Sequence, residues 1–536
     1  MPVQVSNTGS TDVGAGNIYP ECQAAGVPGL IPRSRDIAAR NRRVRSCMPL
    51  EYRSPGPTMS ALFSNELWLN VFFAAEWAVR LMMIVVVPFR RSPEAAKGWL
   101  LLIFFEPTVG LILYGLIGRP TLPSWRMQRH LEFEKLSHPI FERLASEPNI
   151  FHPDVGPELN KAVTLAENLG ELPILGGNAI EVLADYDGFF DRLIADIDAA
   201  RDHVHLLFYI VANDAATWRV IEALGHAVER GVVCRIMADS LGSRPDFEQL
   251  LPRLEAAGIL AEETMRIGLF RRAGRLDLRN HRKIAVIDGR IAYTGSQNLV
   301  DSTFKAGLTY EELNVRLAGP IALELQAVFA EDWYVDTGEH LGEDRYVPNP
   351  EVRGDVAVQT LPSGPGYPRE NNQRLIVSLI HAANLRVFIT MPYFVPDDAL
   401  LQAIQTAALR GVEVTLVVPL QIDQVLVGYG QRSYYEDLME AGVRICRYGK
   451  RFLHAKCLTI DDTIAWIGSS NLDIRSFALN AEVVVLLYDS RVCNRLAVEQ
   501  ERYLRDGEML ELESWRRRSP IVKVAENLAR LLSPLL

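Results

Sequence analysis

The sequence predicts an α/β protein made of two related halves in tandem, preceded by a pair of membrane-spanning helices. Strand-like and helix-like segments alternate from about residue 169 to the C-terminus. Within that region, one set of polar residues occurs twice at identical spacing. Two long apolar runs lie upstream, at residues 67–89 and 99–117.

Length and composition exclude several classes of protein. A chain of 536 residues has room for three or four domains of about 150 residues each. An apolar content of 48% with 23% charged residues excludes a wholly disordered or collagen-like chain. A mean hydropathy of +0.04 excludes a transporter made mainly of membrane spans. The formal net charge of −10 argues against a protein that coats nucleic acid, so we expect no nucleic-acid partner.

The N-terminal segment has the composition of an unfolded tail. It is rich in Gly, Pro, Ser and Arg and shows no sustained hydrophobic period through residue 58. We therefore predict a disordered tail over residues 1–66, ahead of the first apolar run. Met1 and Met59 both remain candidate start sites.

The two apolar runs are long enough to cross a bilayer, since a span needs about 20 apolar residues. They predict a transmembrane hairpin over residues 67–118, followed by a helical connector over 119–168. Glu76 and Arg80 lie four residues apart in the first run and can pair. Pro107 in the second run is predicted to kink it. The alternative is a pair of buried or interfacial helices.

A repeated order of elements defines the two halves. A strand at 203–211, a helix at 218–231 and a strand at 232–239 come in this order in the first half. The same order returns at 385–395, 399–411 and 412–419. We therefore expect one duplicated unit, with halves at 169–346 and 347–536 that face each other as a pseudo-dimer.

The duplicated polar set carries the chemistry. Two matches at six identical positions are a strong signal, whereas a lone His-x-Lys would mean little. The two copies are His281, Lys283, Asp288, Gly295, Ser296 and Asn298, and His454, Lys456, Asp461, Gly468, Ser469 and Asn471.

The spacing predicts a local geometry. HRKIAVID and HAKCLTID are typical of strands, which would place each His beside its Lys on one face. Each Asp then starts a turn, and a second strand returns to Gly-Ser, where the backbone can approach a ligand. If the halves pack about a pseudo-twofold axis, two His, two Lys and two Asn meet in one cleft.

Such a set suits a phosphodiester. Lys and Asn side chains offer positive charge and hydrogen-bond donors to the non-bridging phosphate oxygens. One imidazole can attack phosphorus while the other handles the proton of the leaving group. No metal or other cofactor is expected. The alternative is a pair of core histidines with lysines that reach the surface.

The two sets resemble the HKD motifs of the phospholipase D superfamily. The wider sequence, over about residues 67–536, is similar to bacterial cardiolipin synthases, as in the phrases NHRKIAVIDG, FLHAKCLTIDD and WIGSSNLDIRSFALNAE. The resemblance implies a tandem pair of phospholipase D-like α/β/α domains that form a pseudo-dimer.

The resemblance also implies a role for each motif residue. His281 is the expected nucleophile and gives a phosphatidyl-histidine intermediate, although the internal symmetry alone leaves open which histidine attacks. His454 would protonate the departing glycerol and then deprotonate the incoming hydroxyl. Asp288 and Asp461 complete the predicted catalytic set and look supportive rather than reactive. The residues expected to bind or support the phosphate are Lys283, Lys456, Asn298, Asn471, Ser296 and Ser469.

Family members place an acid downstream of each motif to orient its histidine. Glu482 matches in the second half. In the first half the family usually has Trp-x-Asp, whereas this chain has Tyr310-Glu311-Glu312, so that Glu312 takes the place of the acid. The alternative for Glu312 is a solvated strand edge.

The resemblance implies a membrane phosphatidyltransferase that joins two phosphatidylglycerols into cardiolipin and releases glycerol. It implies a bacterial inner-membrane protein with several spans and catalytic domains on the cytoplasmic side. A phospholipase D-type hydrolase is the main alternative, and a nuclease and a non-catalytic scaffold are weaker ones. The sequence leaves open the second phosphatidyl donor, the acyl-chain preference and the oligomeric state.

Overall fold

The computed structural model describes residues 59–91, 93–118, 122–145, 149–266, 275–367 and 369–531. Residues 1–58 of the predicted tail lie outside the described part of the chain. Residues 59–66 were also predicted to belong to that tail, but they form the first turns of a helix. The segment MSALFSNE contains good helix formers such as Met, Ala, Leu and Glu, which explains the difference.

The N-terminal region is helical. One helical stretch, Glu66–Val86, is long and apolar enough to cross a membrane. The helices are α1 (Met59–Val86), α2 (Pro93–Phe105), α3 (Pro107–Ile117) and α4 (Ser124–Ala145).

The second predicted span is not a single helix. It breaks at Glu106 into α2 and α3, because Pro107 opens a new helix and cannot continue the previous one. At 1.5 Å per residue these helices are only about 20 Å and 17 Å long, against about 30 Å of hydrocarbon. The predicted two-helix transmembrane hairpin is therefore not confirmed.

Instead, α3 folds back onto α2. The Trp99 and Tyr114 rings meet edge to face with centroids 5.2 Å apart. Gly110 lies so close to Ile103 that a Cβ atom there would be 2.7 Å from its side chain. The pair of short helices also contacts α1, where Arg80 donates to the Phe104 carbonyl at 3.0 Å.

The first half alternates strands and helices, as predicted. Its elements are α5 (Pro157–Gly170), β1 (Leu175–Leu183), α6 (Tyr186–Asp198), β2 (His203–Phe208), α7 (Ala215–Glu229), β3 (Val233–Asp239), α8 (Asp246–Ala256), β4 (Leu260–Thr264), β5 (Arg279–Asn280), β6 (Ile284–Ile287), β7 (Ile291–Gly295), β8 (Tyr310–Glu311), β9 (Asn314–Ala318) and α9 (Ala322–Thr337).

The second half repeats this order and adds a C-terminal extension. Its elements are β10 (Val356–Ser363), α10 (Asn371–Ala382), β11 (Arg386–Thr390), β12 (Phe394–Val395), α11 (Asp398–Leu409), β13 (Glu413–Pro419), α12 (Val425–Arg432), α13 (Tyr435–Glu440), β14 (Arg444–Tyr448), β15 (Phe452–Leu453), β16 (Cys457–Ile460), β17 (Ile464–Gly468), β18 (Leu472–Asp473), α14 (Ile474–Ala478), β19 (Asn480–Tyr488), α15 (Ser490–Arg505), β20 (Gly507–Met509), α16 (Leu512–Arg516) and α17 (Pro520–Arg530).

The half-sheets join into one mixed sheet. The first half contributes the order β4-β3-β2-β6-β7-β9-β1, and the second contributes β10-β19-β17-β16-β11-β13-β14-β20. The two orders mirror each other about the antiparallel pair β1–β10, where Leu175 lies opposite Val358. The predicted tandem arrangement is thus confirmed as a pseudo-twofold.

Helices cover both faces of the sheet. Along β2, Val204 and Leu206 point into one apolar core, while Leu207 points into the other. This alternation follows from the two-residue period of a strand. The strands that follow the two motifs, β6 and β16, lie at equivalent positions in the half-sheets, each separated from the β1–β10 pair by two strands.

Candidate active site

Each motif begins where the chain leaves the sheet. The sequence predicts that the His-x-Lys residues lie inside strands, but β6 starts at Ile284 and β16 starts at Cys457. The reason is that the backbone at the start of each motif bonds to the other half. The His281 amide donates to the Ala481 carbonyl at 2.8 Å, and the His454 amide donates to the Glu311 carbonyl at 2.8 Å.

The acids that hold the histidines are exchanged between the halves. Nδ1 of His281 lies 2.9 Å and 3.0 Å from the two carboxylate oxygens of Glu482. Nδ1 of His454 lies 2.8 Å from Glu312. This corrects the expectation that each acid orients the histidine of its own motif. Glu312 is buried, so its alternative interpretation as a solvated strand edge is wrong.

One of the motif serines also holds its acid. Ser469 donates to Glu482 at 2.5 Å, whereas the Ser296 hydroxyl donates to the Leu313 carbonyl at 3.2 Å. The glycines before these serines let neighbouring strands approach, whereas the sequence predicted that the backbone would approach a ligand there. A Cβ atom on Gly468 would lie 2.3 Å from the Val483 carbonyl oxygen.

The two lysines lie beside the imidazoles. Nζ of Lys283 donates to the His281 carbonyl at 2.7 Å. Nζ of Lys456 donates to the His454 carbonyl at 3.0 Å and lies 3.2 Å from Nε2 of the same residue. All four side chains are buried. Two ammonium groups are therefore held next to the two rings.

The motif asparagines differ in their contacts. Oδ1 of Asn298 accepts from the Ile210 amide at 3.0 Å, which fixes the end of the loop after β2. Asn471 lines a cavity, and its buried Oδ1 has no hydrogen-bond partner among the described residues. Asn480 lines the same cavity and its buried Oδ1 is likewise without a partner among the described residues, so both amides have free hydrogen-bonding capacity toward a ligand.

Asp288 and Asp461 were predicted to belong to the catalytic set, but their carboxylates bond to backbone amides and not to the histidines. The carboxylate of Asp288 accepts from three successive backbone amides at the start of β2. That of Asp461 does the same at the start of β11. Both residues have positive φ angles, 53° and 49°, which Asp tolerates better than most residues. Their role is to lock the turn after the motif strand.

A cavity of about 320 Å³ opens next to the motif residues. Several of the residues that line it were not predicted as site residues from the sequence. The cavity is lined by Tyr209, Arg279, His281, Tyr393, Val395, Gln424, Val427, Asn471, Asp473, Arg475 and Asn480.

Tyrosine rings flank both histidines. The Tyr209 ring lies 4.8 Å from that of His281. Tyr310 and Tyr393 lie 5.4 Å and 6.0 Å from His454. Tyr209 and Tyr393 each follow the second strand of their half, in FYIV and PYFV, so the repeat itself is the signal that could have identified them.

Both imidazoles are neutral at neutral pH. The pKa of His281 is lowered to about 4, mainly by burial and also by the charges of Lys283 and Lys456, against the opposing effect of Glu482. Burial also lowers the pKa of His454, which feels both lysines as well. Because the lysine of each half also lowers the pKa of the histidine in the other half, the two motifs form one electrostatic site.

The pKa values of the lysines and of the acids are shifted too. Burial lowers the pKa of Lys283 to about 7 and that of Lys456 to about 8. Burial alone would raise the pKa of Glu482, but its interactions with His281, Lys283 and Ser469 outweigh burial and keep that pKa below its usual value. The site thus holds two neutral imidazoles, two carboxylates and two easily titrated ammonium groups.

This arrangement can do nucleophilic chemistry at an anionic centre. A carboxylate at Nδ1 fixes the tautomer that leaves Nε2 unprotonated, and it stabilises positive charge on the ring when Nε2 forms a bond. The ammonium groups favour an anion in the cavity. Among the residues that the structure describes, no group of three or more His, Cys, Asp or Glu side chains is placed to hold a metal ion.

Comparisons with known proteins identify the family of the chain. A family model described as "Cardiolipin synthase, PLD-like domain" matches residues 193–333 and 376–504, one segment in each half. Cardiolipin synthase A of Proteus mirabilis is 34% identical over 496 residues, which cover 89% of this chain and all of that protein. Cardiolipin synthase A of Pectobacterium atrosepticum is 35% identical over 491 residues, with the same coverage.

A solved structure supports the fold. Phosphatidylserine synthase from Haemophilus influenzae superposes with a TM-score of 0.56 at 15% identity, over 70% of this chain and all of that one. With the family match over both halves and the full-length similarity to the relatives, the chain belongs to the cardiolipin synthase family of phospholipase D-like proteins.

Proposed function

We propose that the protein is a phosphatidyltransferase that makes cardiolipin and glycerol from two molecules of phosphatidylglycerol. Its membership of the family and its full-length similarity to cardiolipin synthase A support this activity. The observation that carries the proposal is the crossed pair of neutral histidines, each held at Nδ1 by a glutamate of the other half.

In the first step, Nε2 of His281 attacks the phosphorus of one phosphatidylglycerol. A phosphorus–nitrogen bond forms and the bond to the glycerol headgroup oxygen breaks. His454 gives its proton to that oxygen, and glycerol leaves. The lipid phosphate is an anion beside His454, so binding raises the pKa of this ring and makes its protonated form accessible in the complex.

In the second step, the terminal hydroxyl of another phosphatidylglycerol takes the place of the glycerol. His454, now neutral, removes the hydroxyl proton as the oxygen attacks phosphorus. The phosphorus–nitrogen bond breaks, which releases cardiolipin and returns both histidines to their first state. Lys283, Lys456 and Asn471 hold the non-bridging oxygens through both steps.

The choice of His281 as nucleophile rests on two observations. His281 lines the cavity together with Asn471, and both oxygens of Glu482 lie within hydrogen-bond distance of its Nδ1. A ring held in this way presents Nε2 to the cavity in a fixed direction, which in-line attack requires.

We also propose a location in the bacterial cell membrane, with the catalytic halves on the cytoplasmic side. The apolar stretch Glu66–Val86 supports a membrane anchor. Basic residues on both outer flanks of the apolar region favour cytoplasmic flanks. A second crossing by residues 99–117 stays a prediction from the sequence.

The test is product analysis with the purified full-length protein in vesicles of dioleoyl-phosphatidylglycerol. We expect mass spectrometry to find cardiolipin and glycerol in equal amounts, and neither product with the His281→Ala variant. Phosphatidic acid and glycerol in place of cardiolipin would show that water resolves the intermediate, and the transferase proposal would then be wrong.

A further inference from the structure

The C-terminal helix α17 presents its apolar side away from the protein. Ile521, Val524, Leu528 and Leu531 are exposed, with Ile521 at 81%, and their spacing places them along one side of the helix. The side toward the protein holds Glu526, which is 1% exposed. A surface helix of a globular protein usually has the opposite orientation.

The inward side is held by ion pairs. Glu526 accepts from Arg432 of α12 at 3.0 Å and from Arg518 at 2.7 Å. Lys523 donates to Glu436 of α13 at 2.9 Å. These contacts fix the rotation of α17 on the second half, so specific ion pairs keep its apolar side directed outward.

Helix α12, which packs against α17, carries two further exposed apolar residues next to the cavity. Val425 and Leu426 at its start are exposed, Val425 at 73%. Their neighbours Gln424 and Val427 line the cavity that holds His281. Exposed apolar side chains therefore lie at the wall of the active site as well as on α17.

The apolar N-terminal helices approach the same cavity from another part of the fold. The carbonyl of Ile117, the last residue of α3, accepts from Arg275 at 2.8 Å. Arg275 pairs with Asp277, whose carbonyl accepts from the cavity residue Arg475 at 3.1 Å. Apolar helices thus lie close to the cavity both at α3 and at α12.

From these contacts we propose that α12 and α17 form a docking surface for an anionic lipid bilayer, which holds the cavity at the level of the headgroups. The surface consists of Val425, Leu426, Ile521, Val524, Leu528 and Leu531. This proposal rests on the proposed function, since a lipid substrate must bring its phosphate to the cavity while its acyl chains stay in an apolar phase.

Charge and position both favour lipid over a second copy of the chain. Arg517 is exposed just before α17 and makes no ion pair with another described residue, so it is free to meet an anionic headgroup. A second copy on the same stripe would sit beside the cavity wall, where lipid has to enter.

The first experiment compares two substrates with the full-length protein. The triple variant Ile521→Ser, Val524→Ser, Leu528→Ser is expected to lose about tenfold or more of its activity on dioleoyl-phosphatidylglycerol vesicles. Its activity on monomeric dihexanoyl-phosphatidylglycerol should stay unchanged. The matched control is Leu385→Ser, Leu409→Ser, which removes two other exposed leucines and should leave both activities intact. An equal loss on both substrates, or no loss on vesicles, would overturn the proposal.

The second experiment identifies the occupant. A p-benzoylphenylalanine at position 524 is illuminated in phosphatidylglycerol vesicles, with position 409 as the control site. We expect a lipid adduct at 524 and none at 409. A cross-linked protein dimer at 524 would assign the surface to a second copy instead and refute the lipid proposal. If the wild type makes phosphatidic acid in place of cardiolipin, the proposed function fails, while the adduct still reports on the docking surface.

Discussion

Replacing Glu482 with Gln is expected to slow cardiolipin formation about 100-fold without unfolding the protein. Glu482 lies in the second half but its carboxylate sits 2.9 Å from Nδ1 of His281. When His281 attacks phosphorus, its ring becomes positive, and the carboxylate stabilises that charge. The amide of Gln keeps the shape and one hydrogen bond but loses the charge.

The magnitude follows from the distance. Two unit charges about 4 Å apart at an effective dielectric constant near 20 attract by about 4 kcal/mol. The hydrogen bond that Gln retains is worth about 1 kcal/mol. The remaining loss of about 3 kcal/mol in the transition state corresponds to about two orders of magnitude in rate.

A donor with a different leaving group distinguishes the roles of the two glutamates. Glu312→Gln acts on His454, which protonates the departing glycerol in the proposed mechanism. With phosphatidyl-p-nitrophenol as donor, the leaving group needs no proton, so release of p-nitrophenol should recover in Glu312→Gln and stay slow in Glu482→Gln. The rate of the first release reports this step directly.

A third buried glutamate provides the control. Glu324 is buried elsewhere in the first half, where it accepts from the Thr360 amide at 2.8 Å and burial raises its pKa well above the usual value. Because Glu324 holds neither histidine, Glu324→Gln should leave both rates unchanged. The reasoning is refuted if Glu482→Gln behaves like Glu324→Gln, or if p-nitrophenol rescues it while Glu312→Gln stays slow.

Three further predictions concern charge and stability. In a pH–rate series, the kcat/KM should fall as the pH rises through about 7 to 8, because Lys283 and Lys456, with pKa values of about 7 and about 8, lose their charge there. The kcat should fall at a higher pH, since bound phosphate favours the ammonium forms of both lysines. Lys283→Met should abolish transfer yet raise the free energy of unfolding at pH 7, which urea titration measures. The reason is that the pKa of Lys283 is lower in the folded than in the unfolded state, so the burial of this charge opposes folding at pH 7. Asp461→Asn should lower the free energy of unfolding by about 1–3 kcal/mol and preserve the kcat of the folded fraction, while Asp462→Asn, which only breaks a surface ion pair with Arg386, should change stability little.

The sequence predicted the features that depend on repetition. Two copies of His-x-Lys at one spacing predict two halves related by a pseudo-twofold, and the paired strands β1 and β10 confirm that arrangement of the halves. The sequence could not predict which glutamate holds which histidine. Both acids lie downstream of their own motif, and only the long-range pairs β5–β19 and β15–β8 decide the exchange.

Local patterns misled the prediction in two places. The aspartates of the motif are polar and regularly spaced, so they looked like members of the site, but their carboxylates satisfy backbone amides instead. The second apolar run has the length and hydropathy of a span. Glu106-Pro107 allows the chain to reverse there, and the close packing of Gly110 on Ile103 stabilises the reversal, which is a tertiary contact that no local window shows.

The exchange of glutamates makes each half depend on the other. A single half has a histidine and a lysine but no acid for that histidine, because its own Glu points across the pseudo-twofold. The same crossing anchors each motif backbone, since the amides of His281 and His454 donate to carbonyls of the opposite half. Neither imidazole can therefore reach its working orientation and charge state until both halves have folded against each other. The catalytic geometry and the interface between the halves are one set of contacts, so a mutation that loosens this interface must also disturb the chemistry.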